Sequence, residues 1–137
     1  MSVPPDVADL VRQWLQKADN DLRTARHTLL ISEECPYDTV CFHAQQCVEK
    51  CLKAVLVCSQ IPFHKTHDLE ELSLLLPSSF GIPVSVEELA RLTPHATNSR
   101  YPDDWQSPGR DDAEWALAAA ERVAEAARSW LSACLRG

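Results

Sequence analysis

With 137 residues, 45% of them hydrophobic and 24% charged, the chain holds enough apolar material for one compact core and too much for a disordered or collagen-like polymer. Its three glycines, Gly81, Gly109 and Gly137, leave residues 1–80 with none; this disfavours an all-β domain, and no P-loop or dinucleotide fingerprint can be written anywhere. The formal charge of −7 repels phosphate backbones and anionic lipid on average, which argues against a general nucleic-acid coat or a polybasic membrane anchor.

The chain opens Met1-Ser2-Val3-Pro4-Pro5-Asp6, without the basic and apolar regions of a signal peptide, and no window reaches the roughly 18 apolar residues that span a bilayer. The expectation is a cytoplasmic protein without a membrane partner. From there Val11, Leu15, Ala18, Leu22, Ala25 and Leu29 alternate steps of four and three, the mark of one apolar face on a helix of about five turns or more. Pro36 ends that window. In the next, Cys41, Ala44, Val48, Cys51, Leu52, Val55 and Cys58 form a broad apolar arc, which predicts a largely buried second helix closed by Pro62.

Thr66 or Asp68 is placed to cap a shorter third helix, with Asp68 and Glu71 in capping-box spacing before Leu72, Leu75 and Leu76. A loop follows from Pro77 to Pro83. Ser85 with Glu88 repeats the capping-box signature and starts a fourth helix, which Pro94 either kinks or restarts with Thr93 as a new cap. After an irregular connection over 101–109, Ala113, Leu117, Ala120, Ala124, Ala127, Leu131 and Cys134 restore a helical seam whose small residues allow close approach. Long amphipathic helices with short links specify an all-α fold, an antiparallel up-and-down bundle of four to five helices, with residues 1–137 as a single domain.

The acidity is unevenly spread. Residues 37–67 carry three basic and two acidic groups, while 68–109 carry two basic and seven acidic. On the second helix His43, Gln46, Lys50 and Lys53 step by three, four and three, so they form a polar stripe expected to face away from the apolar arc. Such a stripe reads either as a solvated face or subunit seam, or as an anion-binding edge. Gln45 falls near the edge of the arc and needs a hydrogen-bond partner if buried. Arg100-Tyr101-Pro102-Asp103 puts a guanidinium beside an aromatic ring where Pro102 forces an extended backbone, so Arg100 either grips a phosphate or pins its own loop through a carboxylate.

Six cysteines, four of them at helical positions in one segment, point to reduced thiols in place of a disulfide framework. Cys58, His64 and His67 offer metal-ligand types without the tight pairing of structural zinc, and neither a metal nor a cofactor is expected. Trp14 and Trp130 lie near the seams of the terminal helices and read as core or dimer anchors, while Trp105 falls in the irregular connection.

Four separated blocks, Phe42-His43-Ala44-Gln45-Gln46 with Glu49-Lys50, Leu52-Lys53-Ala54, His67-Asp68-Leu69 and Arg100-Tyr101-Pro102-Asp103, together resemble the HEPN domain, the helical module named for higher eukaryotes and prokaryotes nucleotide-binding. Ala18-Asp19-Asn20-Asp21-Leu22 resembles the family's opening, and the likeness runs from about residue 8 to 135. It implies an up-and-down bundle, commonly a homodimer, often paired with a minimal nucleotidyltransferase in a toxin-antitoxin-like system. Some branches of that superfamily are metal-independent RNases built on an arginine and a histidine separated by four to six residues. Here no histidine follows Arg100, and the pairs Arg91–His95 and Arg23–His27 enclose only three residues.

The resemblance therefore implies a noncatalytic protein that binds a nucleotide or RNA, or serves as accessory partner of a nucleotidyltransferase. The candidate ligand-binding residues are His43, Gln46, Lys50, Lys53, His67, Arg100, Tyr101 and Asp103. Two alternatives stand beside it: an endoribonuclease toxin with a noncanonical Arg/His pair, and a dimeric protein-interaction domain.

Overall fold

The computed structural model describes residues 3–97 and 107–136, and among them every regular element is helical. Helix α1 spans Pro5–Leu29, α2 Tyr37–Cys58, α3 Leu69–Leu75, α4 Val86–Leu92 and α5 Arg110–Arg136, with a 3₁₀ turn over Thr93–Ala96. The described residues are thus all-α with five α-helices, within the four to five that the periodicity predicts. Helix α1 begins with Pro5 at its first position, where the missing N–H costs nothing and the fixed φ suits a helix. It stops at Leu29, ahead of Pro36, and the link that follows places Glu34 at φ 53° before Pro36 precedes α2.

Helix α2 is the centre of the molecule. Fourteen of its 22 residues are buried, so its apolar arc widens to most of the circumference and it packs against both long partners. Helix α1 runs antiparallel to it, since Asp21 meets His43 while the earlier Trp14 meets the later Lys53. Helix α5 runs alongside α2 in the same direction: Arg110 lies 5.4 Å from the centre of the Tyr37 ring at one end, and Cys134 meets Cys58 at the other. The short helices α3 and α4 carry the chain back between those ends, completing the up-and-down order. Along α5 the buried Ala113, Ala116, Ala119, Ala120, Ala124 and Ala127 present little side-chain bulk, which lets the helices approach closely.

The ends of the elements follow local chemistry. Helix α2 finishes in a Schellman motif: Ile61 N–H donates to the Leu56 carbonyl, Gln60 N–H donates to Val57, and Gln60 takes the left-handed conformation at φ 55°. Asp68 caps α3 by accepting from the Glu70 and Glu71 amides, but Glu71 does not complete the box; its carboxylate takes the Thr66 hydroxyl and pairs with His64 instead. Ser85 and Glu88 form the reciprocal capping box on α4 that their spacing predicts.

Thr93 is not a new cap. Its hydroxyl donates to the Leu89 carbonyl one turn back and accepts the Leu69 N–H, which ties the start of α3 to the end of α4. Gly109 accepts the first intrahelical bond of α5 while its own N–H donates to Asp112, a half capping box that the sequence pattern did not announce. Among the described residues no helix is long and apolar enough to cross a membrane.

Candidate functional site

The polar stripe of α2 does not face open water. Helix α1 lies over it because Asp21 sits on the inward side of α1, three residues after Ala18 and four before Ala25, in the middle of the apolar seam. A buried carboxylate needs partners, and the stripe supplies two. Lys50 Nζ donates to Asp21 Oδ2 at 2.6 Å, and His43 Nδ1 lies 2.8 Å from Asp21 Oδ1. Since an ionised carboxylate only accepts, His43 donates from Nδ1, which fixes the ring against Asp21 while a quarter of the side chain stays exposed.

A second carboxylate, on α2 itself between His43 and Lys50, organises the rest. Glu49 is 3% exposed and accepts from Lys53 Nζ at 2.9 Å and from His67 Nδ1 at 2.7 Å. Lys53 is itself 6% exposed, with its ammonium 5.6 Å from the Trp14 ring centre and 5.9 Å from that of Phe63. Two aromatic faces and one carboxylate thus replace its hydration shell, an arrangement in which a desolvated cation is held by ring quadrupoles as well as by charge. Gln45, fully buried, donates to Glu49 and to the His67 backbone carbonyl and accepts from Gln46, so the partner its position demands is present three times over.

The structure therefore gathers five of the eight candidate residues in two neighbouring networks along α2 and the segment before α3: His43 and Lys50 on Asp21, and Gln46, Lys53 and His67 on Glu49. Their expected outward orientation is corrected: Lys53 is buried and His43 and Lys50 are largely covered, because α1 brings a carboxylate and a tryptophan across the stripe. His67 remains the most open, with 63% of its side chain exposed. Arg100, Tyr101 and Asp103 lie outside the described residues, as does Trp105. Asp21, Glu49 and Gln45 are the organising residues that candidate selection by cationic stripe overlooked. The available signals were a charge inside an apolar seam for Asp21 and the Glu-to-Lys spacing of four for Glu49 and Lys53.

The proposed ligand types for a metal are engaged elsewhere. His64 pairs with Glu71, His67 with Glu49, and Cys58 faces Cys134, so Cys58, His64 and His67 do not converge. Trp14 and Trp130 both pack against the core, Trp130 edge-on to Phe80 at 5.9 Å between ring centres. A cleft of about 130 Å³ lined by Leu10, Gln13, Trp14 and Lys17 opens on the outer side of α1. That volume is below the roughly 300–1,000 Å³ of pockets that enclose small-molecule ligands.

The all-helical bundle of the described residues defines the fold class. The HEPN domain model matches residues 11–130, and the chain belongs to the HEPN family. Among solved structures it is similar to TT1696 from Thermus thermophilus, at 28% identity and a TM-score of 0.73 over 87% of this chain and 96% of that one. It is also similar to ST0689, described as an archaeal HEPN homologue, at 25% identity and a TM-score of 0.66 over 88% and 96% of the two chains. Comparison with curated proteins gives no match.

Proposed function

We propose that this HEPN protein is a noncatalytic nucleotide-binding domain that acts as the accessory partner of a minimal nucleotidyltransferase. The observation that carries the reading is the internal charge balance of the α2 band. Lys50 is paired with Asp21 and Lys53 with Glu49, so neither ammonium is an uncompensated clamp for a polyanion. What the band offers instead is spare hydrogen-bonding capacity at fixed positions: the unused protons of Lys50, the second ring nitrogens of His43 and His67, and the Gln46 amide oxygen, since the Gln46 amide nitrogen already donates to Gln45 and Glu49. Those groups suit one phosphate and one polar ring, the size of a nucleotide, and they sit in the net-positive segment 37–67. Arg100, Tyr101 and Asp103 belong to the same proposal as further ligand-binding candidates, a guanidinium for phosphate and an aromatic ring for stacking.

The test is thermal unfolding against a panel of adenosine and guanosine mono- and triphosphates, with His67→Ala and Arg100→Ala beside the native chain. Saturation at about one hundred times Kd stabilises the folded state by roughly 2.7 kcal/mol, and both variants are expected to lose most of that shift. No stabilisation by any nucleotide, together with no nucleotidyltransferase copurifying from the native source, overturns the reading.

One observation favours a second reading. The Asp21–His43 hydrogen bond is the arrangement by which a carboxylate orients an imidazole for proton transfer, which an endoribonuclease toxin requires. Metal-free incubation with RNA separates the two. Cleavage that falls by roughly 10²–10⁴ in His43→Ala and is lost in Arg100→Ala establishes the RNase; intact RNA at high protein concentration removes it. The third reading, a dimeric protein-interaction domain, predicts self-association without any nucleotide effect, which sedimentation of the same samples reports.

A further inference from the structure

Of the six cysteines, four are accounted for by the fold. Cys41, Cys47 and Cys51 are buried in the core around α2, and Cys35 donates to the Thr28 carbonyl in the link after α1. The remaining two face each other across the ends of the two parallel helices. Cys58 is the last residue of α2 and Cys134 lies in the final turn of α5, with their sulfurs 2.7 Å apart. That is roughly 0.7 Å beyond the ~2.05 Å of a formed disulfide, with no atom between them, and helix ends are where small backbone adjustments are easiest. Cys58 is 3% exposed, whereas Cys134 is partly open to solvent. Cys134 is therefore the more accessible residue of the pair.

We propose that Cys58 and Cys134 are a thiol-oxidation site that low-molecular-weight disulfides convert to an intramolecular disulfide, stapling the C-terminal ends of α2 and α5. The Cys134 thiolate attacks one sulfur of the small disulfide, forming a mixed disulfide and expelling one small thiolate. The Cys58 thiolate then attacks Cys134 Sγ, forming the internal bond and expelling the second small thiolate. The two protein thiols are oxidised by two electrons, the small disulfide is reduced by two, and the two cysteine protons end on the two released thiols. Cys58 is the more covered of the two residues, which places Cys134 for the first attack and Cys58 for the second; burial, and then the hydrogen bond with Cys134, push the Cys58 thiol up to about 12, so its proton passes to the departing small thiolate as it attacks.

The bond would close the chain across a separation of 76 residues. A loop of that length confers a large entropic stabilisation, and for a domain of this size the expected rise in Tm is roughly 10 °C.

The experiment incubates the reduced full chain with oxidised glutathione, blocks remaining thiols with iodoacetamide after unfolding, and maps the tryptic peptides without reduction. Residues 54–65 and 129–136 form two peptides with one cysteine each, so the predicted link has a unique mass. The expected result is that linked pair, four alkylated cysteines per chain, and the rise in Tm, all reversed by dithiothreitol and absent in Cys134→Ser. In Cys58→Ala, which keeps the buried position apolar, Cys134 is expected to stop at the glutathione adduct. A native chain in which Cys134 holds glutathione while Cys58 is alkylated overturns the proposal, as does a link between chains, a link between other cysteines, or six alkylated cysteines after oxidation.

Discussion

Glu49 is the residue on which the polar band turns. It accepts from Lys53, His67 and the Gln45 amide, and Glu49, Lys53 and Gln45 are themselves almost closed to water. A buried pair of this kind adds little net stability over an apolar pair, yet removing one member leaves the other charge stranded. Glu49→Leu is therefore expected to cost about 3–5 kcal/mol, read as a lower urea midpoint at unchanged m-value. In Glu49→Leu/Lys53→Met, where both charges are gone, most of that loss should return. A Glu49→Leu cost below about 1 kcal/mol would mean that Lys53 reaches water after all. Gln45 illustrates the same rule for a neutral group, its amide fully buried because every donor and acceptor has a partner.

At the scale of the element, the helix ends carry the testable features. Gln60 occupies the left-handed position that closes α2, a conformation glycine adopts without strain and other L-residues do not. Gln60→Gly is expected to stabilise the fold by roughly 0.5–1 kcal/mol, measured as a higher midpoint of thermal unfolding; a loss of stability would place another demand on that side chain. The starts of α4 and α5 respond to acid. The Ser85 backbone N–H holds Glu88 below the ordinary carboxylate range, and the Gly109 N–H does the same for Asp112, with Arg122 and Arg91 adding to the effect.

Because both folded values are depressed, their contribution to stability is complete above the unfolded carboxylate values near pH 4 and is lost as pH falls through the lower folded values. Glu88→Gln and Asp112→Asn should each flatten the decline of stability below about pH 4. A slope unchanged in both variants would assign acid unfolding to other carboxylates. In the opposite direction, burial and then the charges of Asp112 and Asp38 push Cys41 up to about 12, so its contribution is present below the ordinary thiol value near 9 and is lost as pH rises toward 12.

For the whole molecule, burial against α2 outweighs the ion pairs that lace the surface. Helix α1 is joined to α5 by Arg26–Glu121 and by Arg128–Asp19, both exposed pairs of the kind worth about 0.2–1 kcal/mol each. Leu52, fully buried at the centre, represents a different order of energy, since Leu→Ala at such a site costs about 2–5 kcal/mol. Arg26→Ala/Arg128→Ala is accordingly expected to lose less than about 2 kcal/mol in total and Leu52→Ala alone to lose at least as much. If the double surface variant proved the weaker protein, the α1–α5 contact would be electrostatic in origin. The proposed nucleotide effect also belongs to this scale, because a ligand in the α1–α2 band stabilises every element that α2 holds together.

Periodicity and punctuation were sufficient to read the helical class, the long first, second and last helices, and the Ser85–Glu88 cap. Those features depend on interactions within a few residues of one another, where a step of three or four decides which side chains share a face. The same local logic was insufficient for the polar band. Whether His43, Lys50 and Lys53 meet water or a carboxylate depends on which residues of α1 lie across from them, and that is a property of packing between segments some 22 to 39 positions apart. The composition behaves likewise: its −7 charge describes the chain as a whole, but only the fold brings Asp21 within reach of the net-positive segment 37–67, whereas Glu49 lies inside that segment, four residues before Lys53. Class was legible in the order of the residues, as was the Glu49–Lys53 spacing; which charges meet Asp21 was settled when α1 closed over α2, because a buried charge is stable only beside the partner that tertiary contact delivers.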